Sequence, residues 1–192
     1  MSAICFFCGS APGNDPLYQR DIAALIETLA QHECSFVYGG GKVGLMGFVA
    51  DEGLKHGASV TGIIPRHLVD HELAYTGLTE LVVTDDMHQR KLAMAQRSDA
   101  FIALPGGVGT LEEIFEQWTW SQIGLHAKPC VFFNTGGFFD PLIAFLQKVV
   151  DKGFMKPQYL ETLIVSDDPD EIVARLKGYT APADKWSKVA KA

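Results

Sequence analysis

The chain has 192 residues, of which 47% are apolar, and its 16 basic and 23 acidic residues give a net charge of -7. That length fits one domain able to bury a core without disulfides or a structural metal. The acidic balance argues against a broad nucleic-acid or anionic-membrane surface, but it leaves room for a small basic pocket. The N-terminus MSAICFFCGSAPG lacks the basic region of an export signal, and no apolar run approaches the roughly 18 residues of a membrane span. A cytoplasmic protein with its four cysteines reduced is the expectation.

Residues 3–8 read as a first strand. Cys5 and Cys8 form a C-x-x-C inside the apolar run ICFFC. A redox pair belongs after the strand, at a helix N-terminus that lowers the thiol pKa. Both thiols are therefore expected in the core, and Cys34 and Cys130 complete no zinc-binding spacing. A turn over residues 9–14 leads to a helix capped by Asn14 or Asp15, with Ile22, Leu25, Ile26 and Leu29 at helical spacing. Residues 34–38 form a second strand that runs into Gly39-Gly40-Gly41, and a helix over 44–56 follows. A third strand, 58–64, is closed by Pro65.

Residues 66–77 show no period and read as a loop or short helix over the carboxyl edge of the sheet. Leu81-Val82-Val83 reads as a short strand, 87–97 as a helix, and 99–104 as a fourth main strand ending at Pro105-Gly106-Gly107. A long helix over 110–123 comes next. A strand at 129–133, a helix at 141–152, a strand at 163–165 and a helix at 169–177 complete the series, and the tail 180–192 is expected to fray. Alternating strands and helices imply a doubly wound parallel sheet with helices on both faces, here a single α/β domain over residues 1–179. Ligands of such sheets bind beyond the carboxyl ends of the strands, where the strand order reverses. The glycine turns after Cys8, Tyr38 and Leu104 fall at those ends.

Pro105-Gly106-Gly107-Val108-Gly109-Thr110 follows a strand and opens a helix. Glycines there permit φ > 0 and close approach to a ligand. The unpaired N–H groups and dipole of the first helical turn make an anion site. Gly106, Gly107, Val108, Gly109 and Thr110 are thus candidate phosphate contacts, with the Thr110 hydroxyl as a cap or a ligand. Glu112, Glu113 and Glu116 lie early in the same helix. Dipole complementarity suffices for Glu112, whereas Glu113 and Glu116 share a face. A carboxylate close to a helix-bound phosphate can stabilise an oxocarbenium-like centre on the attached ribose, or activate water.

Met87-His88-Gln89-Arg90-Lys91 puts two cations near a helix start, where the dipole disfavours them. They are either a solvated basic pair or ligand contacts, with Arg90 able to fork to a phosphate or fix a carboxylate. His88 is the one histidine worth following, because it lies close to Arg90 in sequence. Gly39-Gly40-Gly41-Lys42-Val43-Gly44 fits G-x-G-x-x-G, but no acidic residue stands about 20 positions on, where a dinucleotide's ribose would need one. It also fails as a Walker loop, since Val43 follows Lys42. The expected role is a second backbone cradle, with Gly40 and Gly41 at the pocket and Met46 the likeliest base-stacking side chain. Trp118 and Trp120 are expected in the core.

The segments Met87-His88-Gln89-Arg90-Lys91 and Pro105-Gly106-Gly107-Val108-Gly109-Thr110-Leu111-Glu112-Glu113 resemble the M-x-x-R-K and P-G-G-x-G-T-x-x-E signatures of the LONELY GUY family, the cytokinin riboside 5'-monophosphate phosphoribohydrolases. The likeness runs through nearly the whole chain except the C-terminal tail. It implies a Rossmann-like fold, a homodimer, and hydrolysis of an N6-substituted adenosine 5'-monophosphate, or AMP itself, to free base and ribose 5-phosphate. It implies no metal and no organic cofactor. It assigns catalysis to Arg90 and Glu113, phosphate binding to Gly107, Gly109 and Thr110, and further substrate contacts to Lys91, Glu72 and Thr119. Glu72 is also the candidate for a residue shared across a dimer.

The lysine decarboxylase label often attached to the same family is not supported. That chemistry needs pyridoxal phosphate on a lysine, and Lys42, Lys55 and Lys91 have no such partner arrangement. Two rival readings are a nucleotide or phosphorylated-cofactor carrier using the same cradle, and an NAD(P) oxidoreductase resting on Gly39 to Gly44 alone. Glu113 discriminates against a carrier, because a carboxylate beside a bound phosphate is repelled.

Overall fold

The computed structural model describes residues 2–69 and 74–186. Seven strands, β1 (Ala3–Phe7), β2 (Ser35–Tyr38), β3 (Val60–Pro65), β4 (Glu80–Thr84), β5 (Ala100–Ala103), β6 (Cys130–Phe133) and β7 (Ile164–Ser166), form one sheet in the order β4-β3-β2-β1-β5-β6-β7. Every neighbouring pair is parallel. The helices are α1 (Pro16–Gln31), α2 (Gly44–Lys55), α3 (Met87–Gln96), α4 (Val108–Gln122), α5 (Asp140–Asp151), α6 (Pro157–Glu161) and α7 (Pro169–Lys177). This is the doubly wound, Rossmann-like α/β domain expected.

Strands covered on both faces read as continuous apolar runs, and alternation sorts each residue to one face. On β1, Ile4 and Phe6 join the core formed with α1, α2 and α7. Cys5 and Phe7 join the opposite core, with Met94 of α3, Ile114 and Trp118 of α4, Leu146 of α5 and Tyr159 of α6. Trp118 is therefore a core residue, and Trp120 packs at the margin of the same cluster.

The chain steps from β1 outward to β4, then returns to lay β5 on the other side of β1. The connections leave β1 and β5 in opposite directions, so a crevice opens between their carboxyl ends. A bond from the Gly9 N–H to the Pro105 carbonyl, 3.4 Å long, links the two turns at its floor.

Local details differ from the sequence reading. Helix α4 starts at Val108, two residues before Thr110. Asp15, rather than Asn14, caps α1 by accepting from the Leu17 N–H. The stretch 66–77 holds a short 3-10 turn at Arg66–Leu68, and α6, a five-residue helix opened by Pro157, had no counterpart in the reading. Part of the tail, residues 180–186, lies within the described residues. The Lys185 N–H donates to the Gln122 carbonyl at 3.0 Å, and Gln158 donates to the Ala183 carbonyl at 3.0 Å.

Candidate active site

Helix α3 is fixed at its start by a reciprocal cap. The Asp86 carboxylate accepts from the Gln89 N–H at 2.8 Å, and the Gln89 side chain accepts from the Asp85 N–H at 3.2 Å. Arg90 therefore stands one turn in, turned toward the crevice and only 6% exposed. Its Nη2 donates to the Gly39 carbonyl at 3.2 Å, its Nη1 lies 3.5 Å from the Met87 sulfur, and its buried Nε has no hydrogen-bond partner among the described residues. A Cβ on Gly39 would lie 2.0 Å from Nη2, so the guanidinium requires glycine there.

Helix α4 opens on Gly107 with no side-chain cap. The N–H groups of its first turn thus have no side-chain acceptor and face the crevice. Gly106, Gly107 and Gly109 all have negative φ, which corrects the expectation that they exploit φ > 0. Gly106 serves by close approach instead, because a Cβ would lie 2.1 Å from Thr110 Oγ1 and 2.9 Å from the Gly9 nitrogen. Thr110 is not the cap. It is 3% exposed, and its buried hydroxyl has no partner among the described residues.

These pieces converge on one cavity of about 410 Å³, lined by Phe6, Cys8, Gly9, Ser10, Gly39, Met46, Met87, Arg90, Gly107, Val108, Gly109, Thr110, Glu112 and Glu113. Its volume falls in the range of small-molecule sites, about 300–1,000 Å³. Two other hollows hold none of the motif residues. One, of about 320 Å³, lies at the amino ends of the strands near Asp99 and Pro129, and another, of about 520 Å³, lies near Phe154 and Trp186.

The early start of α4 moves its acids. Glu112 and Glu113 fall in the second turn rather than the first. Glu112 and Glu116, four apart, instead hold Lys91, whose Nζ lies 2.6 Å and 3.0 Å from one oxygen of each. Burial would lower the Lys91 pKa, but the hydrogen bonds and charges of the two carboxylates outweigh it and hold the ammonium above its ordinary value. Lys91, expected as a substrate contact, is not among the residues that line the cavity.

Gly40 and Gly41 also stand back from it. Gly40, at φ +79°, accepts from the Tyr75 N–H, while Gly41 accepts from the Tyr38 hydroxyl and pairs with Ala74. Gly39 takes their expected place. Gly106 faces a neighbouring hollow beside Tyr18 and Phe138. Thr119 is exposed, three turns along α4, and His88 is exposed as well; neither lines the cavity. Glu72 lies outside the described residues.

Cys8 packs against the core, as expected, but at its margin. Strand β1 stops at Phe7, so Cys5 is buried while Cys8 turns to the cavity. Burial, and then the charge of Glu113, push its pKa well up against the opposing pull of Arg90, which keeps the thiol protonated. Cys8, Gly9 and Ser10 had a signal in the sequence: they form the turn after the first strand, at the reversal of strand order.

The chain is 42% identical to a cytokinin riboside 5'-monophosphate phosphoribohydrolase of Arabidopsis thaliana over 182 residues, spanning 95% of this chain and 84% of that one. It is 43% identical to the enzyme of the same name from Rhodococcoides fascians, spanning 91% and 89%. The chain belongs to the LONELY GUY phosphoribohydrolase family. The matching family model, described as possible lysine decarboxylase, covers residues 46–176 of this family member. That description does not suit the site. Among the described residues no lysine lines the cavity, and the nearby Lys91 amine is occupied by two carboxylates, whereas a Schiff base needs a free one. Among solved structures, the molybdenum cofactor binding protein of Rippkaea orientalis aligns with a TM-score of 0.68 at 20% identity, over 93% of this chain and 97% of that one. The Moco carrier protein of Chlamydomonas reinhardtii aligns at 0.67 with 18% identity, over 92% and 96%. These proteins share the fold.

Proposed function

We propose that this family member hydrolyses the N-glycosidic bond of an adenosine 5'-monophosphate, with or without an N6 substituent, to free base and ribose 5-phosphate. The observation that carries the reading is the meeting of an uncapped helix N-terminus, a buried arginine and a carboxylate in one cavity. The phosphate sits on the N–H groups of residues 108–110, where the α4 dipole favours an anion. A buried donor without a partner costs on the order of 1–3 kcal/mol, which a polar ligand at Thr110 and Arg90 would relieve.

With the phosphate there, the ribose extends toward Glu113 in the second turn. The C1'–N9 bond breaks with its electron pair passing to the base, and the carboxylate stabilises the oxocarbenium-like ribose. Water adds through oxygen to C1', one of its protons passes to Glu113, and that proton is passed on to the departing base, which restores the carboxylate. Phe6, Met46 and Met87 supply the apolar wall for the base. The proposal extends to a cytoplasmic homodimer: the resemblance implies the dimer, and four free thiols suit a reducing compartment.

The test is incubation of the purified protein with AMP and with N6-isopentenyl-AMP, following free base by chromatography. Release of base supports the hydrolase, and the ratio of the two rates reports how far the site is directed to the N6 substituent. Tight nucleotide binding without product over long incubation would replace it with the carrier reading.

A further inference from the structure

We infer that Lys91 is a positioning residue, an ionic clamp between α3 and α4 that sets the separation of Arg90 and Glu113. The inference rests on the hydrolase reading above. Helix α3 is anchored on β3 and β4, and α4 on β1, β5 and β6, so the two residues ride on opposite sides of the crevice. The clamp spans it. Lys91 is 8% exposed, follows Arg90 directly in sequence, and reaches Glu112, the immediate neighbour of Glu113, at 2.6 Å. Its second partner, Glu116 at 3.0 Å, lies one turn further along α4.

A buried ammonium is stable only when paired and hydrogen-bonded, so the pairing resists sliding of either helix. Because Lys91 is outside the cavity, it acts on the substrate through the two flanking residues. Loss of the clamp leaves the phosphate site on α4 whole. What it disturbs is the alignment of Arg90 with Glu113, which matters in the transition state more than in the bound ground state.

The test is steady-state kinetics of base release for wild type, Lys91→Met and Glu116→Gln, each checked for folding by thermal melting. Lys91→Met is expected to lose at least about tenfold in kcat with KM within about twofold of wild type. Glu116→Gln, which keeps the Glu112 partner, is expected to lose roughly three- to tenfold in the same sense. Unchanged kcat in either folded variant overturns the clamp. So does a rise in KM alone, which would make Lys91 a substrate contact. If Lys91→Met does not fold, Glu116→Gln decides. Failure of the wild type itself to release base would instead overturn the hydrolase reading, so the two failures are distinct.

Discussion

Two glycine-rich turns stand at the carboxyl edge of the sheet, after β2 and after β5, and they use glycine for different ends. In the first, Gly40 and Gly44 adopt φ of +79° and +56°, and Gly39 makes room for the Arg90 guanidinium. That turn is scaffold: it packs on β3, on the Ser10 turn and on Tyr75, and only Gly39 reaches the cavity. In the second, no glycine of residues 106–109 has positive φ, and a Cβ on Gly107 or Gly109 would meet nothing within 4 Å. Its glycines leave open space over backbone N–H groups, where the proposed phosphate would sit. A glycine pattern alone does not separate the two uses; steric surroundings do.

Substitution separates them in turn, and the largest effect is expected at Gly44. A Cβ there would sit 2.2 Å from the Ser10 carbonyl oxygen and 2.6 Å from the Ala11 nitrogen, in a left-handed conformation. Backbone cannot yield cheaply, so Gly44→Ala is expected to cost about 3 kcal/mol or more, seen as a fall in Tm or as failure to fold. A Tm within a degree or two of wild type would show that the turn is not the rigid scaffold described.

Gly39→Ala comes next. Its clash is with the tips of Arg90 and Met46, which can move, so the fold survives while the guanidinium is displaced. A misplacement of about 1 Å is worth on the order of a hundredfold in rate, so kcat is expected to drop by about that factor at nearly constant Tm. The smallest effect is at Gly109, and its two parts run in opposite directions. Alanine in a helix is favoured over glycine by roughly 0.5–1 kcal/mol, so the melting temperature should rise slightly. The methyl group would occupy the anion site, and KM should rise about tenfold. A Gly109→Ala variant with unchanged KM would place the phosphate elsewhere.

The fold was legible because the central strands are apolar runs and the longer helices carry a periodic face; both signals are local, and the five-residue α6 carries neither. The candidate phosphate turn stood out for the same reason, since strand, glycines, helix start and Glu113 lie within residues 100–113. What escaped was set by registers of one or two residues or by long-range pairing. Strand β1 ends one residue early, which lets Cys8 reach the cavity from the margin of the core, and α4 begins two residues early, which moves Glu112 to Lys91. The Lys91 pairs span 21 and 25 residues, and no periodicity within α3 or α4 announces them. The choice of Gly39 over Gly40 and Gly41 depends on where the Arg90 side chain ends, 51 residues away.

In the proposed reaction Glu113 carries glycosidic chemistry above a phosphate held by α4. The most direct measurement is single-turnover release of base from AMP by wild type and Glu113→Gln, with nucleotide affinity measured in parallel by titration. Loss of a group acting in the transition state is expected to slow release by about a thousandfold or more, with affinity equal or tighter because one negative charge beside the phosphate has gone. Base release by Glu113→Gln at the wild-type rate would contradict the account.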